Sequence, residues 1–188
     1  MLNRIHALPA IITACLVSAL SCGAQTKNLT EQIASATLVQ EGKPAPAFEC
    51  RTTDGRAFSL TGMRGKVVLL YFFSSSTPFA FTQMKYIEQL IQAKIGRRED
   101  FMILGIARGM AREDVVRMGG ENGLTFALAA DPQNTVSGLY FTKFVPRALV
   151  INRAGNISWM TTGSREYDGV LMMQEEIARA LSSNAPSK

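Results

Sequence analysis

Histidine and cysteine are scarce in this chain, and their scarcity excludes more chemistry than any residue present suggests. The one histidine is His6, and the cysteines are Cys15, Cys22 and Cys50. His6 and Cys15 sit in an N-terminal stretch laid out like an export signal, with Arg4 ahead of an apolar run from Ala7 to Leu20. That run is shorter than the ~20 apolar residues of a membrane-spanning helix. Its cleavage region is Ala19-Leu20-Ser21-Cys22, so residues 1–21 are expected to be removed, and His6 with them. A chain without histidine has no His general acid or base, no Ser-His or Cys-His nucleophile pair and few routes to a zinc site. No metal site and no cofactor is expected.

Charge is sparse too. Charged residues make up 19% of the chain and the formal net charge is +5, which loss of Arg4 lowers by one. There is no dense Lys/Arg run and no basic patch interleaved with aromatics, so nucleic acid is not expected as a partner. The 47% hydrophobic content supports a packed core. There is no internal repeat, and the methionines fall at core positions where they serve packing.

Cys22 directly after the cut resembles a bacterial lipoprotein signal, in which that cysteine is acylated and becomes the new N-terminus. The usual signal has Leu three residues before the cysteine and a small residue two before it, where this chain has Ala19 and Leu20. Lipid attachment at Cys22, and through it a membrane anchor, is the expectation. Ordinary secretion with Cys22 unmodified is the alternative. The expected organisation is a signal peptide over 1–21, an anchor and tether over 22–41, one domain over 42–182 and a tail over 183–188. Within the tether, Leu29, Ile33 and Ala36 have helical spacing.

Inside the domain, Phe48–Thr52 and Ala57–Leu60 predict two short strands joined by a turn at Thr53-Asp54-Gly55. Lys66–Phe73 is a continuous apolar run, the pattern of a strand buried on both faces. Phe81, Met84, Ile87, Ile91 and Ile95 fall on one stripe and predict a helix over 79–95. A strand over 101–107, a helix over 112–121 and a strand over 126–130 follow. Asn122-Gly123 is a left-handed cap. Asp131-Pro132 predicts the cap and first position of another helix running towards Tyr140. Strands over 148–152 and 156–161 and a helix over 167–181 close the chain. Alternating strands and helices, then a hairpin and a helix, predict an α/β three-layer sandwich with a central mixed sheet.

These elements and four motifs resemble the thioredoxin-like superfamily, in the branch of exported, membrane-anchored thiol–disulfide oxidoreductases and the alkyl hydroperoxide reductase/thiol-specific antioxidant (redoxin) group. The motifs are Gly42-Lys43-Pro44-Ala45-Pro46-Ala47-Phe48, Asp54-Gly55 with Phe58-Ser59-Leu60 and Gly65 to Leu70, Asp131-Pro132 ahead of Leu139-Tyr140, and Val145 to Ile157. The resemblance spans 42–182. It implies a thioredoxin-like fold with an N-terminal hairpin extension, and a cis-proline at Pro146.

The resemblance also identifies a gap. In the oxidoreductase branch the helix after the central strand opens with a nucleophilic thiolate and carries a resolving thiol three residues later. Those positions are Thr77 and Ala80. An acid lies beneath the thiols in that branch, and Tyr71 occupies its place. The peroxidase branch has a Thr-Pro-x-Cys core, and Thr77-Pro78-Phe79-Ala80 keeps the Thr and Pro but ends in Ala80. Its polarising arginine falls at Pro146. Arg147 is adjacent, but neighbours on a strand face opposite ways.

Two functions therefore stay open, with a third beside them. The first is a redox-inactive module that docks an envelope protein or peptide in a groove of Thr77, Pro78, Phe79, Val145 and Pro146. The second is a thiol–disulfide oxidoreductase or thiol peroxidase that uses the lone thiol of Cys50. The third is a structural part of an envelope complex. Cys50 falls where the family has a core apolar residue, and a structural thiol is its plainer role. The hydroxyls of Ser74, Ser75, Ser76 and Thr77 read as capping and loop solvation.

Overall fold

A computed structural model describes residues 28–163 and 166–183. The expected signal peptide, Cys22 and residues 184–188 of the expected 183–188 tail lie outside the described residues. Two compact units divide between Ala36 and Thr37. Of the first, residues 28–35 form a helix, α1. The second carries everything else. Thr37 to Glu41, assigned to the tether from sequence, are bonded into this second unit: Leu38 N–H donates to the Tyr140 carbonyl at 2.9 Å, and the Glu41 carboxylate accepts the Met160 N–H at 2.8 Å.

Among the described residues, seven strands form two sheets. The expected hairpin is β1 (Glu49–Arg51) against β2 (Ala57–Ser59). The central sheet has the order β5-β4-β3-β6-β7, built from β3 (Val67–Phe73), β4 (Phe101–Arg108), β5 (Ala127–Asp131), β6 (Arg147–Ile151) and β7 (Ile157–Thr162). β3 runs parallel to β4 and antiparallel to β6. All seven β3 residues are buried, as a run of Val, Leu and aromatics at the sheet centre requires.

Alternation along β3 divides the core in two. Val67, Leu69, Tyr71 and Phe73 face one helical layer, packing with Met84, Ile87 and Ile91, with Val115 and Met118, and with Val170, Met173 and Ile177. These belong to α2 (Pro78–Ile87), which continues through a π turn (Glu88–Gln92) into α3 (Ala93–Ile95), to α4 (Arg112–Glu121) and to α5 (Glu166–Ser182). Val68, Leu70 and Phe72 face the other layer, packing with Phe48 and Phe58 of the hairpin side and with Val136, Tyr140 and Phe141. The three layers are thus helices, sheet, and a layer of hairpin, loop and 3-10 turn.

One local expectation is corrected. No helix runs from Pro132 to Tyr140; Asp131 ends β5, and only Ser137–Leu139 forms a 3-10 turn. The Asp131 carboxylate accepts the N–H groups of Val136 (3.1 Å) and Ser137 (2.8 Å) instead of those of a first helical turn. Asn134 has φ of 59°, a left-handed residue that interrupts a right-handed helix.

Candidate functional site

The parallel strands β3 and β4 end at one edge of the sheet, and β6 begins there. The register pairs Phe72 with Arg147 and Phe73 with Ala107, so the loop leaving β3, the loop entering β6 and the end of β4 share that edge. The five groove residues expected from sequence lie on these two loops, Thr77-Pro78-Phe79 after β3 and Val145-Pro146 before β6, with Thr77 and Pro146 buried.

The first segment is the start of α2. Thr77 is its N-cap, with φ of −125° and ψ of 81°, and Pro78 takes the first helical position. The Thr77 side chain caps no helix N–H, which corrects the capping role expected for the hydroxyl cluster. Ser74 Oγ lies 2.8 Å from Ser76 Oγ and 3.4 Å from Thr77 Oγ1, so these hydroxyls satisfy one another. Thr77 and Ala80 are buried, while Pro78 and Phe79 are exposed, Phe79 by 40%. An aromatic ring left this open at the head of a helix is an apolar contact surface.

Beneath this turn lies a closed polar pair. The Tyr71 hydroxyl donates to Gln83 Oε1 at 2.8 Å and lies 3.4 Å from the Ala80 carbonyl. Both side chains are buried, and Gln83 Nε2 has no partner. Burial pushes the Tyr71 phenol far above its ordinary range, so it is a hydrogen-bond donor and not a proton acceptor at neutral pH. Gln83 went unnoticed in the sequence, although its spacing from Ala80 and Ile87 places it on the buried side of α2.

The second segment contains the cis Val145–Pro146 bond that the resemblance implied. Pro146 is buried, Val145 half-buried, and the Pro146 carbonyl accepts the Gly163 N–H at 2.9 Å. Two arginines brace this loop, and the sequence did not single out their role. Arg147 is buried and donates to the carbonyls of Phe144 (2.9 Å) and Lys143 (3.0 Å) and to Thr37 Oγ1 (2.7 Å). Arg108 donates to the Thr142 carbonyl at 2.9 Å. Their guanidinium carbons lie 4.6 Å (Arg147) and 5.6 Å (Arg108) from the ring centre of Phe141, within cation–π range. Three successive carbonyls are thereby held, and Phe144 takes φ of 66°.

The AhpC/TSA family model matches residues 41–160. The chain belongs to the AhpC/TSA family. This AhpC/TSA protein is 28% identical over 176 residues to the thiol-disulfide oxidoreductase ResA of Geobacillus thermodenitrificans (strain NG80-2), covering 94% of both chains. A second ResA, from Geobacillus kaustophilus (strain HTA426), is also 28% identical, over 91% of each chain. Among solved structures, a candidate protein disulfide isomerase from Bacteroides thetaiotaomicron superposes with a TM-score of 0.70 at 29% identity, over 77% of this chain and 93% of that one. A candidate thiol:disulfide interchange protein DsbE from Chlorobium tepidum gives 0.68 at 25% identity, over 77% and 99%. The AhpC/TSA protein is thus thioredoxin-like in fold and related to thiol–disulfide oxidoreductases.

Cys50 belongs to the hairpin and to neither groove segment. It lies on β1 opposite Phe58, half-buried and free, against the hairpin-side core. Burial, aided by the negative charge of Asp131, raises its thiol to about 11. A thiol in that state is a poor nucleophile at neutral pH. Among the described residues, no cluster of three His, Cys, Asp or Glu side chains could hold a metal.

Proposed function

We propose that this AhpC/TSA protein is a redox-inactive docking module of the cell envelope, binding an extended segment of another protein along the edge between Phe79 and Pro146. The observation that carries this reading is the pairing of Ala80 and Thr77 at the two thiol positions with an exposed Phe79 between them. A thiol cycle needs a sulfur at the helix start, and an alanine methyl or threonine hydroxyl cannot form a mixed disulfide. The phenol of Tyr71 in the acid position and the raised thiol of Cys50 both argue against a substitute. The braced cis-proline loop and the apolar ring remain, and both serve binding.

Envelope location rests on the leader of residues 1–21, and anchoring rests on acylation of Cys22. Intact mass of the native protein tests both, since cleavage and acylation change it in opposite directions.

The names of the relatives favour one second reading, in which Cys50 acts alone as thiol–disulfide oxidoreductase or peroxidase. Insulin reduction and hydroperoxide turnover separate the two. The docking reading expects no turnover above buffer, and no difference between the chain and its Cys50→Ser variant. Turnover that vanishes in Cys50→Ser would overturn it.

A further inference from the structure

The two loops of the docking edge carry no acidic residue of their own. Glu113 and Asp114, which follow the end of β4, lie in the first turn of α4, where they offset the positive end of that helix, and Asp114 also pairs with Arg117. Between Asp54 and Glu88, and again between Asp131 and Glu166, the chain carries no acidic residue. The Ser74–Ala80 loop lies in the first stretch and the Phe141–Pro146 loop in the second. No acid lies in the first turn of α2, so the positive end of that helix faces the edge unscreened. Lys143 is exposed on the second loop, and Arg108 reaches that loop from β4. Among the described residues, no ion pair includes Arg108, Lys143 or Arg147.

Two further observations show that this charge is left over. Arg108 Nε is buried without a partner. Burial, and to a lesser degree the neighbouring charge of Arg108, lower Arg147 to about 10, and both guanidinium groups lie over the one Phe141 ring. Asp131 follows Arg108 across the β4–β5 register, but its two carboxylate oxygens are spent on the Val136 and Ser137 N–H groups. Asp168 is exposed in the first turn of α5, where it offsets the positive end of its own helix.

We infer that the segment docked at this edge is an acidic extended peptide, with an apolar side chain for Phe79 and carboxylates for Lys143 and Arg108. The inference rests on the docking reading and adds the partner's chemistry. An acidic partner is drawn in by the long-range field and held in register by the two cations, so salt weakens its binding. A basic partner would place like charges against Arg108 and Lys143.

Three fluorescein-labelled hexapeptides test this by anisotropy with the purified chain: Glu-Val-Glu-Phe-Glu-Val, and the same peptide with Gln or with Lys in place of Glu. The Glu peptide is expected to bind at least tenfold tighter than the Gln peptide at low salt, and the Lys peptide not at all. Lys143→Glu and Arg108→Gln should each erase most of that preference. Lys143→Glu changes an exposed side chain and leaves the loop's hydrogen bonds in place, so it remains decisive if Arg108→Gln fails to fold. Equal binding of the Glu and Gln peptides, lost on Phe79→Ser, would overturn the acidic preference and leave docking intact. Binding of none of the three would overturn both. Binding to phosphatidylglycerol vesicles that Lys143→Glu abolishes, with no peptide bound, would assign the charge to a membrane surface and overturn the inference.

Discussion

The Tyr71 hydroxyl and Gln83 Oε1 are 2.8 Å apart in a fully enclosed space beneath Ala80. Tyr71 stands where the resemblance places an acid, and Ala80 where it places the resolving thiol. The donor–acceptor pair fills the site with a bond that exchanges no proton at neutral pH, because burial holds the phenol protonated. Ala80, Tyr71 and Gln83 thus form one local site. A thiol at position 80 would have no base beside it.

Restoring the sulfurs alone should consequently restore little chemistry. Thr77→Cys with Ala80→Cys is expected to form the disulfide, seen as loss of two titratable thiols, yet to reduce insulin slowly. Adding Tyr71→Glu should raise the rate by about 10²-fold, at the low end of what a positioned general base contributes. Equal rates with and without Tyr71→Glu would remove the base from this account.

The same pair makes a stability prediction. Tyr71→Phe leaves Gln83 Oε1 unpaired beside an amide nitrogen that already lacks a partner. The expected cost is about 1–3 kcal/mol, the penalty for a buried group left unsatisfied. Tyr71→Phe with Gln83→Leu removes both polar partners and should cost less than Tyr71→Phe alone. Urea unfolding midpoints at constant m-value check the order, and a double variant weaker than the single one contradicts it.

Much of this was legible in the chain itself. The β3 run, the α2 stripe and the α4 limits at Arg112 and Glu121 follow from periodicity, because strand and helix burial impose repeats of 2 and 3.6 residues. The edge between Phe79 and Pro146 came from motifs whose spacing the topology turns into proximity. What periodicity could not supply was long-range bonding. Asp131 binds backbone groups five and six residues on, and Asn134 takes a left-handed conformation, so a helix signal became a 3-10 turn. The arginine brace links residues as far apart as Arg147 and Thr37, which no local pattern encodes. Gln83 looked like an ordinary helix residue until its pairing with Tyr71 gave it a role.

Cys50 should report on pH with a definite sign. Its thiol is raised from an ordinary value of 9.0 to about 11 in the folded chain. Below pH 9 both states hold the proton and the thiol contributes no pH dependence. Between about pH 9 and 11 the unfolded chain releases a proton that the folded chain keeps, so stability falls as pH rises. Cys50→Ala should flatten that part of the profile. Alkylation by iodoacetamide at pH 7.5 should be slower in the native chain than in urea. Native alkylation as fast as in urea would mean an open, ionised thiol.

Two adjacent glycines of α4 should respond in opposite directions. Alanine is favoured over glycine inside a helix by about 1 kcal/mol, so by propensity alone both Gly119→Ala and Gly120→Ala should stabilise. A Cβ on Gly119 would stand 2.7 Å from Leu128 Cδ1, whereas one on Gly120 meets nothing within 4 Å. Leu128 cannot simply turn aside, because its other methyl packs over Gly105 of β4 and the side chain is buried. Overpacking of this kind costs about 1–3 kcal/mol, which exceeds the helix gain. Gly119→Ala is therefore expected to lower the unfolding midpoint and Gly120→Ala to raise it. Stabilisation by both would mean that α4 can lift away from β5 at little cost.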